Sequence, residues 1–172
     1  MKKDKNGPIH QATIKSCKIP GVLFQRSPIV KYEAGVICEI KNERWQNLYE
    51  GRLDHIYVIY DDTQSKRDWG MHQITTDRYL LLKGSIEVAL FDGRKSGASE
   101  VVVFTLHGSG GGDFSGVLIP PGVWHSFRNL DNTELILMNF KHPEFNRDDV
   151  DKYRLPMPNE LTSFEWTGRS GH

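Results

Sequence analysis

Short apolar runs rich in β-branched residues, separated by turn residues, recur along the whole chain and constrain its fold more than any other feature. No long stretch places apolar residues every 3.6 positions, as a packed helix requires. Nine such runs at this spacing predict an all-β fold, a sandwich or barrel of the jelly-roll type. The predicted strands are Gly21–Phe24, Val36–Ile40, His55–Tyr60, Tyr79–Lys83, Ser85–Phe91, Val101–Leu106, Gly116–Ile119, His125–Leu130 and Glu134–Phe140.

Two short helices are expected at the edges of this β-structure. In Glu43–Glu50 the side chains of Trp45, Leu48 and Tyr49 would lie on one helix face. A second helix is expected in Arg147–Lys152.

The length of 172 residues fits one domain. We predict a flexible N-terminal arm at 1–12, a single domain at 13–166 and a frayed tail at 167–172. The glycine-rich run at 108–113 lacks the Lys-Ser/Thr pair and the following helix of a phosphate-binding loop, so it is predicted to be a flexible hairpin tip.

The charge balance excludes several classes of partner. The chain has 22 basic and 22 acidic residues and therefore no formal net charge, which argues against a dedicated nucleic-acid or anionic-membrane binder. No apolar run approaches the length of about 20 residues that spans a bilayer, and no apolar secretory signal opens the chain. Cys17 and Cys38 form no disulfide framework. We therefore expect a cytoplasmic protein with no nucleic-acid or membrane partner.

Two of the seven histidines, His72 and His125, are the candidates for chemistry. His125 follows a Pro-Pro-Gly corner at 120–122, and the strand period then places His125, Phe127 and Asn129 on one face. In a jelly roll, the strands that carry the two histidines would be neighbours whose inward faces share one cavity. The two imidazoles are therefore expected to meet inside it.

The segment at 120–129 resembles the second conserved motif of the cupin superfamily, whose members are small jelly-roll barrels built as a double-stranded β-helix. The first cupin motif, which normally supplies two histidines and a glutamate to a metal, falls in 69–84, where His72 is the one histidine. His72 and His125, even with Asp77 added, make a poor metal cage. We expect no bound metal, and a metal-dependent cupin is the least favoured function.

Over most of its length the chain resembles a divergent member of the dTDP-4-dehydrorhamnose 3,5-epimerase family of metal-free cupins. The segments that carry the resemblance are Ile19–Arg26, His55–Tyr60, Gly70–His72, Thr76–Leu82, Ile119–His125, His142–Glu144, Tyr153–Pro156 and Phe164–Trp166.

The resemblance implies proton chemistry beside the ketone of a nucleotide-linked 4-keto deoxysugar, with no cofactor. The carbonyl acidifies the hydrogens on C3 and C5, so a base can remove one, and reprotonation of the enolate on the opposite face inverts the centre. His72 matches the family base, and His125 matches a second histidine of the same pocket. The predicted substrate-binding residues are Arg67, Arg78, Trp69, Arg128 and Asn129, with an arginine fork such as that of Arg67 suited to a diphosphate.

The proton donor is an open question, because Leu137 stands where the family has its acid tyrosine and leucine cannot donate a proton. Phe140 and Lys141 replace a later pair of tyrosines. The candidates for the donor are Tyr79, Tyr60 and a water molecule held by His125. Without a positioned donor, an acid–base enzyme loses about 10²- to 10⁴-fold in rate.

The carboxylate that orients His72 is also open, since the family's Asp-Asp-Pro near the C-terminus reads Pro158-Asn159-Glu160. Glu160, Asp151 and Asp77 are the alternatives. These departures leave three readings of function: an epimerase-like isomerase of a nucleotide sugar, a sugar 3,4-ketoisomerase, or a cupin that binds the sugar nucleotide without turnover. By resemblance we also expect a homodimer in which N-terminal strands cross to the partner.

Overall fold

The computed structural model describes residues 11–95, 100–108, 114–144 and 146–167. Within these ranges the chain forms thirteen strands and no helix. Most of the arm predicted at 1–12, most of the glycine-rich tip and most of the tail predicted at 167–172 lie outside the described residues. The strands are β1 (Thr13–Ser16), β2 (Leu23–Arg26), β3 (Ile29–Tyr32), β4 (Gly35–Cys38), β5 (His55–Asp61), β6 (Trp69–Met71), β7 (Thr76–Lys83), β8 (Ser85–Asp92), β9 (Val102–His107), β10 (Gly116–Ile119), β11 (Val123–Asn129), β12 (Leu135–His142) and β13 (Tyr153–Leu155).

Two antiparallel sheets make up the jelly roll, and a separate hairpin joins β3 to β4. The first sheet has the order β1-β2-β10-β7-β12-β5, and the second has the order β13-β6-β11-β8-β9. All nine predicted strands are present, β10 with the predicted ends and the other eight with shifted ends, and the all-β cupin fold is confirmed. The four strands that the sequence did not indicate, β1, β3, β6 and β13, are only three or four residues long.

The two predicted helices are wrong. Residues 43–50 form turns, because side chains bind the backbone N–H groups that a helix would need. The Gln25 amide oxygen accepts a hydrogen bond from Leu48 N at 2.9 Å, and the Asn47 side chain accepts one from Tyr49 N at 2.9 Å. Leu48 and Tyr49 are nevertheless buried as the pattern indicated, at 2% and 1% exposure, in an apolar cluster with Leu80.

Residues 147–152 form a bend rather than the second predicted helix. Asp151 lies against the loop that follows β6, and its carboxylate accepts hydrogen bonds from three backbone N–H groups of that loop, at residues 73–75. Hydrogen bonds to the distant residues 73–75, and not the hydrogen bonds of a helix, therefore hold this stretch in place. No helix within the described residues is long and apolar enough to cross a membrane.

The side chains that face inward change from apolar to polar along β7 and β12. On β12, Leu135 and Leu137 belong to the main core, whereas Asn139 and Lys141, at the other end of the strand, are buried polar residues. On β7, Leu81 lies in the core and Asp77 is buried at the polar end. Lys141 and Asp77 pair directly across the two strands. The fold thus gathers polar groups at one end of the space between the sheets.

Candidate active site

A cavity of about 270 Å³ lies at this polar end. His72, Asp77 and His125 line it together, which brings the two predicted histidines into one pocket. Their ring centroids are 6.1 Å apart and the rings are nearly parallel, at 24°. The register explains the approach, because His125 on β11 pairs with Gly70 on β6, two residues before His72.

The corner before β11 fixes the direction of His125. Gly122 has φ of 79°, in the left-handed region that glycine adopts without strain. A Cβ atom at Gly122 would lie 2.5 Å from Cγ of Arg94. The Pro-Pro-Gly segment therefore forms a tight turn that no larger residue would fit. His125 is 8% exposed, and its Nδ1 lies 3.2 Å from the backbone oxygen of Val123.

Asp77 is the centre of the polar network and is 1% exposed. Its Oδ1 accepts a hydrogen bond from Asn139 Nδ2 at 2.7 Å and lies 3.2 Å from Lys141 Nζ. Its Oδ2 lies 3.5 Å from Nε2 of His72 and 3.5 Å from Nε2 of His125. Burial alone would raise the pKa of Asp77, but its interactions with His125, Lys141 and His72 and the hydrogen bond from Asn139 outweigh burial and hold this pKa below its ordinary value.

The surroundings of His72 assign its proton to Nδ1. That nitrogen is hydrogen-bonded to the backbone oxygen of Asp151, which can only accept, so Nδ1 carries the hydrogen. Nε2 keeps its lone pair and accepts a hydrogen bond from Lys141 Nζ at 2.9 Å. Burial lowers the pKa of His72 and of His125, so both imidazoles are neutral at neutral pH. His72 Nε2 is therefore a basic atom that faces the cavity's polar network.

Two of the three candidate carboxylates lie beside His72. The Asp77 carboxylate is 3.5 Å from its Nε2, and the Asp151 carboxylate is 3.7 Å from its Nδ1. Glu160 is exposed and does not line the cavity. Asp151 orients His72 through its backbone oxygen, while its carboxylate anchors residues 73–75.

Tyr57, which the sequence analysis did not single out, lines the cavity on β5. It pairs across the strands with Asn139, and its hydroxyl oxygen accepts a hydrogen bond from Asn139 Nδ2 at 2.9 Å. Because the amide donates in this contact, the phenol keeps its own hydrogen to donate. Burial, together with the nearby Asp77 charge, raises the pKa of Tyr57, so it is a protonated acid at neutral pH. The signal that could have found it is the alternation of β5, in which Tyr57 occupies an inward position.

Of the predicted proton donors, the two tyrosines lie on opposite faces of the barrel wall. Tyr79 lines the cavity, is 5% exposed, and its ring meets that of His125 edge-on at 5.9 Å. Burial raises its pKa well above 10. Tyr60 is wrong as a donor, since it is 65% exposed on the opposite face of β5. Leu137 is fully buried in the apolar core, which leaves the family's acid position without a polar group.

Lys141 is a second residue of the site that the sequence analysis did not single out. It lies on β12, its side chain is 7% exposed, and its ammonium contacts both His72 and Asp77. The inward alternation of Leu135, Leu137, Asn139 and Lys141 along this strand is the sequence signal for its position.

Of the predicted substrate-binding residues, Arg67 and Trp69 line the cavity. The Arg67 guanidinium binds both carboxylate oxygens of Asp61, at 2.9 and 2.5 Å, and lies over the ring of Phe127. Trp69 is fully buried and packs edge-on against Phe91, so it forms the cavity wall. Three further cationic residues, which the sequence analysis did not name, line the same cavity: Lys66, Lys152 and Arg154.

The remaining predicted residues are not brought to the cavity. Arg78 alternates with Asp77 and Tyr79 on β7 and therefore points to the opposite face of the sheet. Arg128 pairs with Glu87 and lies over the ring of Trp166, where it lines a separate groove. Asn129 lines that groove too and donates hydrogen bonds to two backbone oxygens, those of Asp62 and Thr133.

No protein-family model matches the chain. The spore coat polysaccharide biosynthesis protein SpsL of Bacillus subtilis strain 168 is 30% identical over 97 residues, which are 55% of this chain and 62% of that protein. The match therefore spans less than two thirds of the relative. The probable low-salt glycan biosynthesis epimerase Agl13 of Haloferax volcanii is 24% identical over 137 residues, 78% of this chain and 85% of that protein.

Solved structures share the architecture at low identity. The dTDP sugar isomerase of Desulfovibrio desulfuricans G20 matches with a TM-score of 0.74 and 19% identity, over 88% of this chain and 94% of that one. The dTDP-6-deoxy-D-glucose-3,5-epimerase RmlC of Legionella pneumophila Philadelphia 1, solved with dTDP-4-keto-L-rhamnose, matches with a TM-score of 0.76 and 15% identity, over 94% and 87%. The resemblance seen in the sequence is thus confirmed in the architecture, and the chain has the fold of the dTDP-4-dehydrorhamnose 3,5-epimerases and related dTDP-sugar isomerases, with a divergent sequence.

Proposed function

We propose that this protein is an isomerase that removes and returns a proton next to the ketone of a nucleotide-linked 4-keto deoxysugar. The observation that carries the proposal is the convergence of a neutral imidazole and a protonated phenol on one cavity, with an ammonium hydrogen-bonded to that imidazole. His72 is the base, Tyr57 is the acid, and Lys141 supplies positive charge. The names of the relatives SpsL and Agl13, which refer to polysaccharide and glycan biosynthesis, support the same class of substrate.

The first step transfers a proton from the sugar carbon to Nε2 of His72. The electron pair of the broken C–H bond forms a double bond to the carbonyl carbon. The ketone oxygen of the resulting enolate therefore gains negative charge. When Nε2 of His72 accepts the proton, the Lys141 ammonium still lies 3.2 Å from the Asp77 carboxylate. The same ammonium stabilises the enolate oxygen. The imidazolium that forms is stabilised by Asp77 Oδ2, 3.5 Å from Nε2.

The second step returns a proton to carbon. Tyr57 is the proposed donor because its hydroxyl is positioned by Asn139 and retains its hydrogen. Tyr79, one of the candidates for the donor, is a cavity-wall residue against His125. Delivery to the same carbon from the face opposite His72 gives epimerisation. If the hydrogen of the neighbouring hydroxyl moves to the former ketone oxygen through an enediol, delivery of the proton to the former carbonyl carbon gives 3,4-ketoisomerisation.

The cationic residues at the cavity suit the diphosphate of a sugar nucleotide. Arg67, Lys152 and Arg154 line the same cavity as the catalytic groups. An arginine fork binds phosphate oxygens bidentately, and a lysine adds a point charge. In this role Arg67 would exchange Asp61, its present partner, for the ligand.

Deuterium exchange tests the proposal. Incubated in D₂O with dTDP- and GDP-linked 4-keto-6-deoxy sugars, the protein should incorporate deuterium at C3 or C5, measured by mass spectrometry and NMR. His72→Gln should abolish incorporation, while His107→Gln, which removes a histidine bonded to Ser85 outside the cavity, should not. Nucleotide binding without incorporation would identify a binding protein and refute the isomerase. A 3-keto product would identify a ketoisomerase.

We also propose that the protein is a cytoplasmic homodimer. The β3–β4 hairpin exposes four apolar side chains, Val30, Tyr32, Val36 and Ile37, at 40% to 55% exposure. Val30 pairs with Ile37 across the hairpin, so these two side chains and Tyr32 lie on one face, and an exposed apolar surface is typical of an interface. Both cysteines are free thiols, as is usual in a reducing compartment. Light scattering of the purified protein would give the mass of the particle.

A further inference from the structure

The two histidines and Asp77 have the spacing of a metal site. Ligand atoms of His72, Asp77 and His125 all lie within 4.8 Å of one another. Each Nε2 is 3.5 Å from Oδ2 of Asp77. In a tetrahedral site with ligand bonds of about 2.1 Å, neighbouring ligand atoms are about 3.4 Å apart. The three side chains therefore need little movement to bind a divalent transition metal through two imidazoles and one carboxylate.

The ammonium of Lys141 lies against two of these three groups. Its Nζ is 2.9 Å from Nε2 of His72 and 3.2 Å from Oδ1 of Asp77. It engages the lone pair that His72 would offer to a metal, and its charge would repel a dication at this distance. Lys141 is held there by the sheet, because it is the direct cross-strand partner of Asp77 on β7.

We propose that Lys141 fills a latent metal site, and that without its ammonium His72, Asp77 and His125 bind a divalent transition ion such as Co²⁺ or Zn²⁺. The lysine is thus the residue that determines whether this cavity holds a metal. This inference does not depend on the proposed reaction, since metal binding is measured without substrate.

Cobalt binding tests the proposal. The full chain is freed of metal by chelation, and Co²⁺ is titrated into the wild type, Lys141→Met and Lys141→Gln, with visible d–d absorption and calorimetry as readouts. We expect each variant to bind one Co²⁺ with an affinity about 100-fold or more above that of the wild type, because the repelling charge is gone. Zn²⁺ should displace the cobalt and abolish the absorption.

Two controls locate the site. Lys152→Met removes a lysine that lines the cavity but leaves in place the Lys141 ammonium that contacts His72 and Asp77, so it should bind cobalt no better than the wild type. Adding His125→Ala to Lys141→Met should abolish the tight binding. Binding that survives this second change would place the metal elsewhere and overturn the proposal.

Stability gives a second readout, because the bound metal would replace the positive charge of Lys141 beside the Asp77 carboxylate. Co²⁺ should raise the melting temperature of the two Lys141 variants and leave that of the wild type unchanged. The proposal is overturned if the wild type binds Co²⁺ as tightly as Lys141→Met, or if both folded variants bind none. Failure of both variants to fold even with excess Co²⁺ would also overturn it, since the ion should restore the missing charge.

Discussion

Asp77 and Lys141 form a buried ion pair, and separating its two charges by mutation should have a large and non-additive effect on stability. Asp77 is 1% exposed, and the Lys141 side chain is 7% exposed, so neither charge can turn to water. With both imidazoles neutral, each member of the pair is the other's main compensating charge. Removing one partner of a buried pair destabilises a protein by about 3–5 kcal/mol, because it leaves an uncompensated charge.

We therefore expect Asp77→Asn and Lys141→Met each to lower the free energy of unfolding by about 3–5 kcal/mol. For a domain of 150–250 residues each kcal/mol corresponds to about 2–4 °C, so the melting temperature should fall by roughly 6–20 °C. The double variant Asp77→Asn/Lys141→Met buries no charge from this pair. It should be at least as stable as either single variant, instead of showing the sum of two losses.

Urea denaturation at fixed protein concentration measures the three free energies, and circular dichroism gives the melting temperatures. Asp61→Asn is the comparison, because it breaks an ion pair whose arginine, Arg67, has a side chain that is 43% exposed and can turn to water, so it should lose less stability than either single variant. The reasoning is refuted if the single variants lose less than the Asp61 control, or if the double variant shows the sum of the two losses.

Three further predictions test the site and the assembly. Tyr57→Phe should lower turnover about 10²- to 10⁴-fold by steady-state kinetics, with nucleotide affinity unchanged by calorimetry, whereas Tyr60→Phe on the outer face should have no effect. Because burial lowers the pKa of His72 and His125, the unfolded chain binds more protons below about pH 6.5, so the free energy of unfolding should fall as the pH drops from 7 to 5. Urea titrations across this range should show a shallower decline for His125→Gln, and an unchanged decline would contradict the assignment. Ile37→Asp on the exposed hairpin should convert a dimer to monomers by light scattering, and an unaltered mass would exclude this hairpin as the interface.

The strands could be predicted from the sequence because each carries its own apolar pattern and its own turn signals. The short strands β1, β3, β6 and β13 could not, since three or four residues give too little periodicity. The apolar positions of the helix expected at 43–50 were read correctly. The prediction failed because the hydrogen-bond partners of its backbone N–H groups could not be read from the sequence. The partner of Leu48 N is Gln25, a residue 23 positions away that no local pattern reveals.

The site residues that belong to a sequence motif could be predicted. The residues that reach the site only through the pairing of distant strands could not. The Pro-Pro-Gly corner pointed to His125, and the Gly-Met-His segment pointed to His72. Lys141 and Tyr57 have no local motif, and they join the site only because β12 lies between β7 and β5 in the sheet. Arg128 and Asn129 were predicted to bind substrate, but they lie at the end of β11, where they line a different groove.

The direct pairing of positions 77 and 141 across two neighbouring strands also bears on how distant relatives are compared. Exchanging the two side chains, so that the lysine came from β7 and the carboxylate from β12, would leave an ammonium and a carboxylate side by side at the same end of the barrel. An alignment that scores one column at a time would count such an exchange as two lost residues. Covariation between the two columns, and not identity within either, is the quantity that would trace this charge pair through evolution.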